Sequence, residues 1–340
     1  MGPWRVVDHR VHAGPLAYAV GPGATFLRFR QGCMHLAQSL RTLDRMAHAH
    51  RDQHSPTHPH DGSAHHAHDS GAIPDGLPEI LDLDAALFAP HLTALTGRVA
   101  CLAGDDVRHI VDLGAGTGTG TFALLEQFPA ARVTAVDSSP AMLEHIVTVA
   151  RERGLGDRVR TLEADAGAGL PGVTDADLVW ASASLHHLDD PATALAGIRA
   201  ALRPGGLLAV AEVGGMPTFL PEDGAAGALE ARCRTALDGL HADQLPHRGA
   251  DWGALLTAAG LPVEQERAER WELRAPLPEG AGRYAYLVFE RVRGSLEGRV
   301  GPEDLAALGR LVGGGPEDVR HRGDLVVRST RETWMARRPA

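Results

Sequence analysis

Lysine does not occur in this chain; its 33 basic side chains apart from histidine are all arginine. With the bias toward Ala, Gly and Pro, that points to coding from a GC-rich genome. The G-x-x-x-x-G-K-[ST] phosphate cradle is excluded, because nothing can supply its lysine. Cysteine is scarce as well. Cys33, Cys101 and Cys233 lie far apart and form no C-x-x-C pair, so neither a disulfide scaffold nor a cysteine zinc site is expected, and a reducing cytoplasm fits. No apolar run approaches the roughly 20 residues that span a bilayer, so no membrane helix is expected. The opening MGPWRVVDHRVHAGPLAYAVG lacks a basic stretch followed by a continuous apolar segment and a cleavage site, which argues against a secretory signal. Basic groups are outnumbered by 43 acidic ones, for a net charge of −10. Such a chain matches phosphate backbones poorly and shows no basic stripe with interleaved aromatics, so nucleic acid is not an expected partner.

What is present is enough to fold. Apolar residues make up 44% and charged residues 22% of 340 residues, which excludes a wholly disordered protein and suits one α/β domain with additions. Three regions are expected. Residues 1–45 are an arginine-rich extension. Residues 46–75, including HSPTHPHDGSAHHAHDSG, are a low-complexity tract with little to bury, expected to be disordered. Met46 opens that tract, and a start there would leave 1–45 outside the native protein. The tract's imidazoles (His48, His50, His54, His58, His60, His65, His66 and His68) suit opportunistic capture of nickel or zinc. No scaffold flanks them, so no built metal site is expected. Residues 78–340 carry the folded domain, with a core at 109–213 and a substrate side at 214–340.

Helical patterning runs from Pro78 through residue 100, and short apolar runs then alternate with amphipathic segments. Strands are expected at 109–114, 132–137, 158–165, 176–182 and 207–213, with helices at 119–129, 140–154 and 191–206. That rhythm argues for a parallel sheet with helices on both faces. Beyond Gly214 helices at 222–241, 251–259, 281–296 and 302–312 interrupt two further strands, 263–274 and 324–338, expected to pair antiparallel at the sheet edge.

The most informative stretch is VDLGAGTGTGT at 111–121, between a strand and a helix. Gly114, Gly116 and Gly118 let the chain turn sharply and let a ligand approach the backbone without Cβ interference. A nicotinamide fingerprint G-x-G-x-x-G fails from either register, because Thr119 and Thr121 stand where its third glycine is required. Asp137 ends the second strand, 19 residues beyond Gly118, where a carboxylate can accept from two ribose hydroxyls. Asp165 ends the third strand, and Ala181-Ser182-Ala183-Ser184 end the fourth, followed by LHHLDDP. Strand ends of this kind beside a glycine loop form one crevice.

The order D-x-G-x-G-x-G, Asp137, Asp165-Ala166, SLHHLDDP and LRPGG resembles class I S-adenosylmethionine-dependent methyltransferases, in particular the small-molecule group akin to ubiquinone and menaquinone biosynthesis enzymes. The resemblance covers about 78–338 and is most specific over 109–213. It implies a doubly wound, Rossmann-like, seven-stranded and mostly parallel sheet of order 3-2-1-4-5-7-6, in which only the seventh strand is antiparallel. It implies S-adenosyl-L-methionine as cofactor, with Gly114, Ala115, Gly116, Thr117 and Gly118 forming the loop against it and Asp112 near its amino group. Asp137 would take the ribose, Ser138 and Met142 would flank the adenine, Asp165 and Ala166 would contact its edge and face, and Ala181 and Ser182 would line the route to the sulfonium. Direct displacement onto a small organic acceptor follows. His186 and His187, where the fourth strand opens toward substrate, are the candidate catalytic bases. Trp252, Trp271, Tyr284, Tyr286 and Phe289 are candidates for an apolar acceptor pocket. Two rival functions stand beside this one: a cofactor-binding protein without turnover, and metal handling through the histidine tract.

Overall fold

The computed structural model describes residues 76–340; the extension at 1–45 and the histidine tract at 46–75 lie outside the described residues. Two helices, α1 (Leu77–Leu87) and α2 (Ala89–Ala103), lead into β1 (His109–Leu113). Then follow α3 (Thr119–Gln127), β2 (Arg132–Asp137), α4 (Pro140–Glu152), β3 (Val159–Glu163), β4 (Ala176–Ser182), α5 (Pro191–Ala201) and β5 (Leu202–Val213). The chain continues through α6 (Ala225–Gln244), α7 (Trp252–Ala258), β6 (Val263–Leu273), α8 (Ala281–Leu296), α9 (Pro302–Leu311) and β7 (Val327–Arg337). The sheet order is β3-β2-β1-β4-β5-β7-β6, with β7 antiparallel to both neighbours and the other pairings parallel, as the resemblance implied.

A strand covered on both faces reads as a continuous apolar run, and β5 shows why. Leu207, Ala209 and Ala211 pack on one face with Phe88, Leu95, Trp180 and Tyr284. Leu208 and Val210 pack on the other with Leu195, Ile198, Trp252 and Trp334. Among the described residues no single helix is long and apolar enough to cross a membrane.

Three expectations need correction. The helix read across 78–100 is broken at Phe88, and α1 and α2 meet at 77°; Pro90 in the first turn of α2 would obstruct the carbonyl four residues back if the helix were continuous. The helix read across 191–206 ends at Ala201, and LRPGG opens β5 instead. Pro204 favours extended geometry at Arg203. Gly206 sits where a Cβ would lie 2.9 Å from the carbonyls of Ala176 and Arg203, so these backbones close up only around glycine. Of the five aromatics expected to line a pocket, Trp252, Trp271 and Tyr284 are core residues, each no more than 5% exposed, whereas Phe289, equally buried, lines a small cavity with Met216, Phe219, Leu237 and Val292.

Helix α1 is tied to the sheet by a buried polar pair. Asp84 accepts from Arg331 Nη2 on β7 at 2.8 Å and from the Tyr284 hydroxyl on α8 at 2.7 Å. Arg331 is 9% exposed, so removal of its partner leaves an enclosed cation. Asp84→Ala is predicted to cost roughly 2–4 kcal/mol, against about 1 kcal/mol for Tyr284→Phe. Denaturant midpoints measure both; equal small losses would show that the pair does not fasten the helix.

Candidate active site

The carboxyl ends of β1, β2 and β4 converge on the glycine loop. Gly114, Gly116 and Gly118 have φ of +67°, +54° and +85°, a region that side chains avoid. At Gly114 there is a second requirement: a Cβ there would stand 2.5 Å from the Cβ of Ser184. Ser184 is held against the loop by its hydroxyl, which donates to the Leu113 carbonyl at 2.9 Å.

Four of the loop's donors are spent inside the protein. Gly114 and Ala115 donate to the Val136 carbonyl at 2.8 and 3.0 Å, Gly118 to Ala115 at 2.8 Å, and Gly116 to Asp137 Oδ2 at 2.8 Å. A pyrophosphate would need those N–H groups free, so these four positions do not cradle one. Asp137, half-buried, also accepts from Ser139 N at 2.9 Å. Each of its oxygens carries one main-chain bond and keeps acceptor capacity for hydroxyl groups, so the residues present fit an adenosyl ribose.

The other expected cofactor residues fall into two sets. Ser138 is exposed beside Asp137, Met142 is buried in the first turn of α4, and Asp165 is exposed at the end of the third strand, capping a 3-10 turn at Ala166–Ala168 through Gly167 N at 2.8 Å. Ser182 is half-buried at the end of β4. Ala115, Thr117 and Ala181 are enclosed, Ala181 completely, in the packing of the sheet. Asp112 is enclosed too, at 2% exposure, under the start of α3, where it accepts from the Thr121 hydroxyl at 2.6 Å. It supports the loop from beneath.

After β4 the backbone is strained: Ala183 has φ +52°. The strain is held by a residue that the sequence reading missed. Glu212, at the end of β5 and 4% exposed, accepts through Oε1 from Ser184 N at 3.2 Å and Leu185 N at 2.8 Å. Its Oε2 is 2.6 Å from His186 Nδ1. A signal was available, since Glu212 is the lone acid closing the apolar run LLAVAEV, as Asp137 closes RVTAVD. The pair commits Nδ1 of His186 as donor and leaves Nε2 for a ligand. His187 stacks on it with ring centroids 4.2 Å apart and keeps an exposed edge. Desolvation of its packed side, then the nearby His186 and Arg248, lower its pKa. Among the described residues no cluster of three or more His, Cys, Asp or Glu is arranged to hold a metal ion.

Residues 111–208 match the family described as a methyltransferase domain. The matched stretch runs from β1 into β5 and covers the glycine loop and the strand ends around it, within a sheet of the order that the resemblance to class I S-adenosylmethionine-dependent methyltransferases implied. More particularly, the chain is similar to trans-aconitate 2-methyltransferase of Azoarcus sp. (strain BH72), 41% identical over 106 residues, which cover 31% of this chain and 39% of that protein. The protein of the same name from Acidovorax sp. (strain JS42) is 34% identical over 180 residues, covering 52% of this chain and 64% of that one. The match thus spans between about two fifths and two thirds of these curated relatives. Among solved structures, the YcgJ protein of Bacillus subtilis aligns over 74% of this chain and 99% of its own, at 16% identity and a TM-score of 0.46.

Burial pushes the Asp112 carboxyl up to about 6 from an ordinary 3.8, the Thr121 hydrogen bonds opposing the shift. The unfolded chain therefore releases this proton at lower pH than the folded one. Asp112 contributes its full stability below about pH 4 and loses it as pH rises to about 6, a change on the order of 3 kcal/mol. Asp112→Asn keeps an acceptor for Thr121 and is predicted to flatten that part of the stability profile. Parallel wild-type and variant curves between pH 4 and 7 would contradict the assignment.

Proposed function

We propose that this protein transfers a methyl group from S-adenosyl-L-methionine to a small carboxylic acid by direct displacement. The observation that supports the reading best is the glycine loop with its N–H groups turned inward beside Asp137 at the end of β2. That combination disfavours phosphate at those N–H groups and suits the hydroxyls of a ribose at Asp137. Residues 109–213 form the cofactor core. Gly114 and Gly116 give backbone access, with Asp137 for the ribose hydroxyls and Ser138, Met142, Asp165 and Ala166 around the adenine. Residues 214–340 supply the acceptor side.

The carboxylic acid class is supported by the relatives' printed substrate, trans-aconitate. Bound, the cofactor supplies an electrophilic methyl group on a positively charged sulfur. The protein's task is then alignment and exclusion of water. A carboxylate reaches the site already ionised near neutral pH, so no proton has to be removed from the attacking oxygen. His186 and His187 accordingly act by holding the acceptor, with His186 locked by Glu212.

Two measurements test this. Calorimetry is expected to show S-adenosylmethionine and its demethylated product binding the wild type, and Asp137→Ala weakening both by roughly 2–4 kcal/mol through loss of charge-assisted hydrogen bonds. Incubation with trans-aconitate and a methyl-labelled cofactor is expected to give a labelled monoester. Tight cofactor binding with no label in any of a broad set of small acids would leave a binding protein without turnover.

A further inference from the structure

Past the end of β5 one cation, the Arg248 guanidinium, has an imidazole as its side-chain partner. Helix α6 brings His241 toward the end of β5, and the segment between α6 and α7 brings Arg248. The Arg248 guanidinium donates to Nδ1 of His241, an interaction that requires that nitrogen to be unprotonated. The segment is braced by Arg248 N on the Leu245 carbonyl at 3.0 Å. It also touches the loop after β4, where His247 Nε2 lies 3.4 Å from the Asp189 carbonyl. At Gly215, just past β5, a Cβ would be 3.9 Å from Arg248 Nη2, so the guanidinium lies against the chain leaving the end of β5.

Four side chains therefore gather here: His186 and His187 from the loop after β4, His241 from α6 and Arg248 beyond it. Each of His187 and His241 has its pKa lowered first by desolvation, with Arg248 among the further causes. Among the acids whose side chains the structure describes, those nearby are otherwise engaged or set apart. Glu212 is spent on Ser184, Leu185 and His186. Glu332 is its cross-strand neighbour on β7, Asp238 on α6 bears on His241 and opposes the lowering of its pKa, and Asp189 meets His247 through its carbonyl. Among the described residues Arg248 forms no salt bridge, whereas Arg331, on β7, is paired with Asp84. A half-buried guanidinium whose recorded partner is a neutral imidazole is poised for a planar anion, and a carboxylate fits its fork in two parallel bonds.

We infer that Arg248, with His241 and His187 beside it, receives a carboxylate of the methyl acceptor and selects acids over their neutral esters. The inference rests on the carboxylic acid reading above, yet it can be tested without turnover. The full chain, saturated with the demethylated cofactor product, is titrated calorimetrically with trans-aconitate, with simpler mono- and dicarboxylates, and with trimethyl trans-aconitate. The wild type is expected to bind at least one acid and to bind the triester more than tenfold more weakly. Arg248→Leu is expected to weaken acid binding at least thirtyfold and to leave triester binding unchanged. Arg248→Lys, which keeps the charge and loses the fork, should fall between. Cofactor-product affinity and thermal midpoint serve as the folding control and should stay within twofold and 2 °C of wild type.

Equal affinity for acids in wild type and Arg248→Leu would overturn the inference, as would a wild type that binds no acid. If the leucine variant misfolds, the wild-type preference for acid over ester and the lysine variant still decide the matter. Arg248-dependent acid binding without methyl transfer would leave this receptor standing and overturn the proposed reaction instead.

Discussion

Glu212 takes the main-chain N–H groups of Ser184 and Leu185 and the ring of His186 on one buried carboxylate. It ties the end of β5 to the loop after β4, and the other contacts of the crevice follow from where that loop is held. Ser184 can press against Gly114 only because its backbone is fixed, and Gly114 can accept it only because it has no Cβ. The Ala183 strain persists for the same reason: the bonds on either side over-determine the turn. Left without those bonds, a buried carboxylate would be expensive; with them it joins the cofactor side of the site to the acceptor side.

The electrostatics of the two sides are opposite. On the proposed cofactor side, acceptors dominate: the N–H groups of Gly114, Ala115, Gly116 and Gly118 are consumed internally, Asp137 ends β2 and Asp165 lies just past β3. On the acceptor side, imidazoles and one guanidinium dominate, within a chain whose net charge is −10. An acidic protein with a local cationic corner discriminates by position. Bulk charge does not draw anions in generally, and an acid is favoured where the corner meets it.

Much of the architecture was legible in the chain. Short apolar runs separated by amphipathic segments announce a doubly wound sheet, because a strand buried on both faces leaves no polar alternation. The glycine loop and Asp137 were legible because their chemistry is local: a turn needs glycine where φ is positive, and a strand-end carboxylate sits beside it. The errors arose where tertiary contacts outweigh local pattern. The apolar register across 78–100 continues smoothly through Phe88, yet Pro90 and packing against β7 and α8 break it. LRPGG reads as a helix stop, yet it begins a strand because Leu202 pairs with Ala176 of β4 and Gly205 and Gly206 exchange backbone hydrogen bonds with Arg338. Trp252, Trp271 and Tyr284 have the composition of a binding pocket and the burial of a core.

By itself the sequence determined the order of elements and the placing of the glycine loop beside the strand-end Asp137, since both depend on residues close in the chain or on strand periodicity. Tertiary structure alone decided which distant residues share a charge environment. Glu212 and His186 are 26 positions apart, and Arg248 reaches His187 only after α6 has run out and back. Hydrogen bonds and Coulomb forces act over a few ångströms, so those partnerships exist only once the sheet has brought the strand ends and the following helices to one place.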